Sequence, residues 1–159
     1  MNKINTDELE EVTWSSPSGK FGGAGKQVSE ALGRDRTSSD VMKCHPFDVE
    51  IQRLAPGKIS CPYHVHTHQR EFYHVISGRG FARDDDGKKS IGPGDAFLFK
   101  PGEPHTIGND GDEDLILYVV ADNPMNEACY YPDSRKWSIY DRIIRADTAE
   151  SLDYYDGED

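Results

Sequence analysis

Four of the six histidines fall within one short stretch, residues 62–74. His64 and His66 are two positions apart, so on a β-strand both imidazoles project from the same face and can bind one ion. Residues 67–70 separate Glu71 from His66 and are enough for a turn, which places the Glu71 carboxylate at the start of a neighbouring strand. His105 follows a Pro-Gly turn about one hairpin later and is the candidate for a fourth ligand. These residue types at these spacings indicate a metal site.

Three neutral imidazoles and one carboxylate form a mixed nitrogen and oxygen donor set of intermediate hardness. Such a set suits Fe(II), Mn(II), Ni(II), Co(II) or Zn(II) better than Ca(II) or Cu(I). We therefore expect a divalent transition metal as the cofactor. A single carboxylate does not neutralise two metal charges, so the loaded site is expected to be cationic and to attract an anionic substrate.

Three further residues are candidates for the substrate pocket. Tyr73 shares the strand parity of Glu71 and is expected to line the pocket, with a core aromatic as the alternative. His68 is expected at the rim of the site as a substrate contact. Arg70 is expected beside it, bound either to an anionic substrate or to a surface carboxylate.

The elements that position these residues have the pattern of β-strands. Apolar and polar residues alternate from Phe47 to Gln52, which predicts a half-buried strand. Further short strands follow between evenly spaced turn sequences rich in Gly, Pro, Asn and Asp, and the last of them is Leu115 to Ala121. Asp86-Gly87 is expected at the centre of a tight hairpin, with both residues at positive φ. The pattern predicts an all-β sandwich or small barrel.

The spaced motifs resemble those of the cupin superfamily, in particular its small single-domain bacterial members. The first cupin motif has the order Gly, His-x-His, Glu, Gly, and it aligns with Gly57, His64, His66, Glu71 and Gly78. The second has the order Gly, Pro-x-Gly, His, Asn, and it aligns with Gly94, Lys100, Gly102, His105 and Asn109. Six residues instead of five separate Gly57 from His64, and Lys100 stands where the second motif has proline.

The resemblance implies a double-stranded β-helix, that is, a cupin or jelly-roll barrel, with a metal held by His64, His66, Glu71 and His105. It implies a homodimer in which an N-terminal segment packs on the partner. For function it implies a metal-dependent enzyme acting on a small oxygenated substrate, of the dioxygenase or the sugar or sugar-phosphate isomerase type. The alternative is a non-catalytic cupin that binds or senses a sugar-like small molecule.

The length of 159 residues predicts one domain with three parts. Residues 1–45 are expected to be a Gly-rich, flexible arm packed on the domain or on a partner subunit. Residues 46–122 are expected to be the barrel core, and residues 123–159 a C-terminal extension with an acidic tail. The glycine cluster does not match a phosphate-binding loop, because Lys20 and Gln27 occupy positions that require Gly and Ser or Thr. Val28 to Gly33 is expected to form a short helical turn that ends at the glycine.

The chain has 29 acidic and 18 basic side chains and a net charge of -11. This surplus opposes binding to nucleic acid and to anionic membranes. No apolar stretch approaches the roughly 20 residues of a membrane helix, and the N-terminus lacks an apolar targeting segment, so a cytoplasmic location is expected. The tail is expected to be solvated unless Tyr154 and Tyr155 anchor it; its acidic residues are Asp147, Glu150, Asp153, Asp156, Glu158 and Asp159.

Overall fold

The computed structural model describes residues 1–38, 40–140, 142–148 and 150–158, with the backbone alone at position 41. Its regular structure is mainly β, which confirms the predicted fold class. The strands are β1 Val12–Ser15, β2 Gly22–Gln27, β3 Phe47–Leu54, β4 Val65–His66, β5 Glu71–Ser77, β6 Gly80–Asp84, β7 Gly87–Ile91, β8 Ala96–Phe99, β9 Thr106–Gly108, β10 Leu115–Asp122, β11 Ala128–Tyr131, β12 Lys136–Ile139 and β13 Arg142–Arg145. The described helical elements are α1 Val28–Ala31, α2 Val41–Cys44 and a 3₁₀ turn at Thr6–Glu8.

One wall of the barrel is an antiparallel sheet of six strands in the order β1-β2-β3-β10-β5-β8. Paired residues on neighbouring strands point to the same face, so rows of side chains can be followed across the sheet. Two rows that face the interior are Gln27, Glu50, Val119, Tyr73 and Phe97, and beside it Asp48, Ala121, Glu71 and Phe99.

Strand β3 has its polar side turned inward. Its polar residues Asp48, Glu50 and Gln52 line an internal cavity, whereas Phe47 on the opposite side is 49% exposed. A half-buried strand ordinarily packs its apolar side on the core, and the reversal here gives the barrel a polar interior next to the predicted metal site.

The other wall consists of a three-stranded sheet, β7-β6-β9, and a four-stranded sheet, β13-β12-β11-β4. The second of these joins the C-terminal extension to the barrel, because β11 pairs with the short strand β4. Between the two sheets, His64 and His105 form an isolated antiparallel bridge. The bridge places two of the predicted ligands side by side.

The apolar core fills the part of the barrel where β3, β5 and β10 run past the predicted site. Its side chains with no exposed surface are Leu54, Val75, Ile107, Leu115 and Leu117. Burial of each such side chain contributes about 1.5–3 kcal/mol to the free energy of unfolding. The core therefore makes the barrel rigid at one end and leaves its other end available for polar groups.

The Gly-rich segment forms strand β2 and pairs with β1 and β3, so it packs on the domain, which is one of the two expected positions. It does so as a regular strand and not as a flexible arm. Glycine is needed there for close packing: a Cβ at Gly23 would overlap the Trp14 ring and the Leu54 side chain. The Trp14 indole N–H in turn donates to the Ser60 carbonyl at 3.1 Å. The predicted helical turn is confirmed as α1, followed by Gly33 at φ 106°.

The predicted hairpin joins β6 to β7, but its centre lies one residue earlier than expected. Asp84 pairs with Gly87, which leaves Asp85 and Asp86 as the loop. Of these turn residues only Gly87 has positive φ, at 109°. The glycine at the end of the turn adopts the positive φ, so neither aspartate has to adopt a left-handed conformation.

The acidic tail packs on the extension, contrary to the expectation of a solvated tail. Lys136 has no exposed side-chain surface, and its Nζ lies 3.2 Å from Oε1 of Glu158. The same ammonium group donates to the carbonyls of Tyr154 at 2.6 Å and Asp156 at 3.0 Å. Tyr155 stacks on Phe21 near the N-terminus, with ring centroids 6.0 Å apart. Asp159 lies outside the described residues.

Among the described residues, no helix has the length and apolar character required to cross a membrane.

Replacing Glu158 by Gln removes the carboxylate that lies 3.2 Å from the buried ammonium group of Lys136. Breaking a buried ion pair costs about 3–5 kcal/mol, and the two carbonyls that still bind Lys136 offset part of that cost. We expect Glu158→Gln to lower the free energy of unfolding by about 2–3 kcal/mol in urea denaturation. The control is Glu150→Gln, at an exposed pair with Arg145, which is expected to change it by less than about 1 kcal/mol. Equal effects of the two substitutions would contradict the buried pair.

Candidate metal centre

The structure brings together the four residues predicted as metal ligands. The donor atoms of His64, His66, Glu71 and His105 all lie within 4.8 Å of one another. His66 ends β4 and Glu71 begins β5, so the turn between these strands sets their separation. His64 and His105 are brought together by their antiparallel bridge.

Three of the distances between donor atoms are close to those of ligands that share one ion. Nε2 of His64 lies 3.1 Å from Nε2 of His66. Oε2 of Glu71 lies 2.8 Å from Nε2 of His105, and Oε1 lies 3.5 Å from Nε2 of His66. Two ligands with bonds of about 2.1 Å to one ion lie roughly 3.0–3.4 Å apart at ordinary coordination angles. The donor set and its spacing therefore fit a transition-metal ion.

Hydrogen bonds at Nδ1 fix which nitrogen each imidazole turns to the centre. Nδ1 of His64 lies 2.9 Å from the Pro62 carbonyl, and Nδ1 of His105 lies 3.0 Å from the Glu103 carbonyl. A carbonyl oxygen only accepts, so each Nδ1 carries the hydrogen and donates it. Each Nε2 then has a lone pair that it can offer to a metal.

The third imidazole is anchored by a carboxylate that the motif did not indicate. Nδ1 of His66 donates to Oε1 of Glu127 at 3.1 Å, and the same carboxylate accepts the backbone N–H groups of residues 67–69 at 2.8–2.9 Å. Glu127 precedes β11, which pairs with β4 through Cys129 and His66. Because that pairing joins distant parts of the chain, no local spacing in the sequence could have identified Glu127.

In the absence of a metal, the electrostatics of the cluster favour a proton on His64. Burial acts against the charge of His64, but the Cys61 thiol and the Glu71 carboxylate outweigh it and raise its pKa to about 9. Burial also acts to raise the pKa of Glu71, yet the adjacent imidazoles of His105 and His66 hold that pKa well below its usual range. Burial lowers the pKa of His105. A cation is thus favoured at the centre, and a metal ion would displace a proton from it.

The three predicted pocket residues have different positions. Tyr73 is buried, and its hydroxyl donates to Oε2 of Glu71 at 2.7 Å, so it belongs both to the core and to the site. His68 and Arg70 are exposed and do not line the cavities at the site. Of the two partners expected for Arg70, the structure shows the surface carboxylate; a substrate contact of His68 stays a prediction. The loop that carries them is bound to Glu127 through its backbone, and Arg70 pairs with Asp122 at 3.3 Å.

An internal cavity of about 220 Å³ adjoins the donor atoms. Val119 and Ala121 of β10 form its floor, and the inward side chains of β3 and β5 form its walls. Glu50 of β3 lies in this cavity, and burial raises its pKa to about 7. The Oε1 atom of Gln52 is buried and has no hydrogen-bond partner in the described structure.

A second, wider cavity of about 630 Å³ also reaches the donor atoms and is lined in part by Arg34 and Arg36. Arg34 is held by Asp48 at 2.7 Å and by Glu30 at 3.3 Å. The side chain of Arg36 is 65% exposed and lies 3.5 Å from Glu30. The N-terminal segment thus adds basic groups to the site, which the sequence pattern had not indicated.

The four clustered residues lie within a segment of the chain that matches a known family. The family model for the cupin domain matches residues 50–121. The oxalate-binding protein of Thermotoga maritima is 34% identical over 68 residues, which cover 43% of this chain and 55% of that protein. The chain thus aligns with only about half the length of that curated relative.

Two solved structures share the fold over most of both chains. One is a sugar phosphate isomerase from Silicibacter pomeroyi, described as a member of a cupin superfamily. Its superposition on this chain has a TM-score of 0.73 at 25% sequence identity and covers 98% of this chain and 94% of that one. A structure from Acidithiobacillus ferrooxidans has a TM-score of 0.70 and 23% identity, covering 94% and 86%. These similarities confirm the double-stranded β-helix fold.

The raised pKa of Glu50 predicts that the free energy of unfolding of the metal-free protein depends on pH. Between about pH 4.5 and 7 the carboxyl ionises in the unfolded state before it ionises in the folded state, so stability is lost as pH rises through that range. We expect the stability advantage of Glu50→Gln over the parent protein to grow by about 2 kcal/mol from pH 5 to pH 7.5 in urea denaturation. The exposed control Glu113→Gln is expected to show a constant difference. A constant difference for Glu50→Gln would contradict the burial of its carboxyl.

Proposed function

We propose that this chain, whose residues 50–121 match the family model for the cupin domain, is a metal-dependent enzyme of the cupin superfamily acting on a small oxygenated substrate. His64, His66, Glu71 and His105 would hold one divalent transition-metal ion. The observation that carries the proposal is that all four donor atoms converge within 4.8 Å. The hydrogen bonds at Nδ1 leave the lone pairs of the imidazoles directed to that centre.

The number of protein ligands favours a catalytic metal over a structural one. Four protein ligands leave one or two positions free in a five- or six-coordinate site, and free positions are typical of catalytic metals. When bound, the metal supplies Lewis acidity, which polarises a carbonyl or hydroxyl oxygen of the substrate. Tyr73 supports the carboxylate of Glu71 by its hydrogen bond.

The inner cavity suits a small, hydroxyl-bearing molecule. Its volume of about 220 Å³ is below the roughly 300–1,000 Å³ of pockets for drug-sized ligands. Gln52 lines this cavity with an amide group that can form a hydrogen bond with a substrate hydroxyl, and Arg36 offers a cation at the wider cavity for a phosphate. Together with the similarity to the Silicibacter pomeroyi sugar phosphate isomerase, these features favour a sugar or sugar-phosphate isomerase.

A second candidate is binding of a small dicarboxylate without turnover. The similarity to the oxalate-binding protein of Thermotoga maritima favours it, and a cationic metal centre would attract such an anion. The predicted dioxygenase alternative is distinguished by its use of oxygen. The homodimer, the cytoplasmic location and the lack of nucleic-acid and membrane partners stay proposals, and light scattering of the purified protein tests the first.

Three measurements on metal-loaded protein separate the candidates. Interconversion of aldose and ketose phosphates, followed by NMR, supports the isomerase. Tight binding of oxalate in calorimetry without conversion of any sugar phosphate supports the binding protein. Substrate-dependent oxygen uptake would assign the dioxygenase instead.

The assignment of the ligands predicts loss of metal in two variants. We expect His66→Ala and Glu71→Ala to lose stoichiometric metal, because each removes one donor of four. Metal content is measured by elemental analysis after loading with Zn(II) and gel filtration. Glu113→Gln, an exposed carboxylate in the turn before β10, serves as the control that retains the metal. Full occupancy in both variants would overturn the ligand set.

The anchor of His66 predicts a smaller effect at Glu127. Loss of a hydrogen-bond partner of a ligating histidine typically weakens metal binding by about 10- to 100-fold. We expect Glu127→Gln to weaken Zn(II) binding by that factor in competition with a chromophoric chelator. Circular dichroism verifies that the substitution, which also removes contacts to the backbone of residues 67–69, has not unfolded the barrel. An unchanged affinity would show that the carboxylate supports the loop alone.

A further inference from the structure

The register of the six-stranded sheet places Glu50 across the inner cavity from the metal ligands. Glu50 and Tyr73 pair with the same residue of β10, Val119, from its two sides. In the next row, Asp48 and Glu71 flank Ala121 in the same way. Strands are about 4.8 Å apart, so two residues that flank a third have backbones roughly 10 Å apart. The short side chains of β10 leave a gap between the two walls.

The carboxylate of Glu50 has a dedicated place in the fold. A Cβ at Gly25 would overlap Oε1 of Glu50, so the carboxylate lies directly over this glycine of β2. The Gln27 side chain on the same strand forms a hydrogen bond with it. The Gly-rich strand therefore makes the room in which the carboxylate lies.

Other acidic groups at the cavity are already occupied. Asp48 pairs with Arg34 at 2.7 Å. Glu71 is bound by two imidazoles and by the Tyr73 hydroxyl. Glu50 forms no ion pair within the described part of the chain, and it is the cavity carboxylate that can exchange a proton with a bound molecule.

We propose that Glu50 is a catalytic residue that transfers a proton between adjacent carbons of a hydroxy-carbonyl substrate lying over Val119 and Ala121. The proposal rests on the metal-dependent isomerase function proposed above. Glu50 faces the substrate from the side opposite the metal ligands, so the carbonyl can be polarised on one side while a C–H bond is attacked from the other.

The step balances without an oxidant or reductant. Glu50 takes the proton from the hydroxyl-bearing carbon, and the electron pair of that C–H bond forms a carbon–carbon double bond while the carbonyl pair moves onto its oxygen. Glu50 then returns the proton to the former carbonyl carbon. The hydroxyl proton passes to the other oxygen, and the product is an isomer of the substrate.

The surroundings of Glu50 suit this role. Burial raises its pKa to about 7, with Glu30 and Asp48 acting in the same direction and with Gln27 and Arg36 acting against it. A group with a pKa near the working pH is present in both protonation states and can give and take a proton.

The test is hydrogen exchange at carbon in D₂O, with Zn(II)-loaded protein and a panel of aldose and ketose phosphates of four to six carbons. Mass spectrometry measures the carbon-bound deuterium. Loss of general acid–base catalysis costs about 10²- to 10⁴-fold, so we expect Glu50→Gln to reduce exchange at least 100-fold with unchanged Zn(II) content. Glu113→Gln, an exposed carboxylate in the turn before β10, is the control and is expected to retain the full rate. Glu50→Asp is expected to recover part of it.

A second variant tests the position of the carboxylate without changing any ionisable group. Gly25→Ala should displace Glu50 and lower exchange by a similar factor while Zn(II) is retained. Independently of turnover, the ¹³C resonance of the Glu50 carboxyl, assigned by its absence in Glu50→Gln, is expected to titrate near pH 7.

The outcomes separate the two proposals. Exchange in the parent protein that persists in Glu50→Gln would overturn the role of Glu50 and leave the isomerase function standing. A carboxyl resonance that titrates near pH 4.5 would also overturn it. No exchange with any sugar phosphate in fully Zn(II)-loaded parent protein would overturn the isomerase function, and the role of Glu50 with it.

Discussion

Hydrogen bonds to the Nδ1 atoms of three histidines determine what the site can bind. Each acceptor forces one tautomer and leaves Nε2 directed to the same point. Two acceptors are backbone carbonyls near their own histidines, so they form as the local chain folds. The third, Glu127, comes from the C-terminal extension. The extension is therefore part of the metal centre as well as a cover for the barrel.

The apolar core and the polar cavity lie at different positions along the same barrel strands. Where β3, β5 and β10 carry large apolar residues inward, the interior is a dry core. Further along the same strands, the inward positions are occupied by Asp48, Glu50 and Glu71 around short side chains of β10. Burying these carboxyl groups costs free energy, which the core offsets. The result is a rigid barrel with a polar cavity at one end.

The sequence was sufficient for the parts of the site that depend on local spacing. His64 and His66 are fixed by strand parity, and the turns before Glu71 and His105 place the other two ligands. Groups that depend on long-range pairing were missed, as Glu127 and Glu50 show. Alternation in β3 revealed two faces but not which one is buried, because both faces of a barrel strand can carry function. The backbone of the loop that carries His68 is bound by Glu127, a contact that strand parity could not reveal.

The buried pair of Lys136 and Glu158 has a consequence for the order in which the protein matures during synthesis. β12 begins with Lys136, whose charge finds its carboxylate only after the chain has been made as far as Glu158. Until then, the ammonium group is more stable in water than in the interior. The barrel strands up to β10 can pair before that point, whereas the sheet that delivers Glu127 to His66 is completed last. The anchor of His66 therefore depends on the extension having joined the barrel through the pairing of β11 with β4.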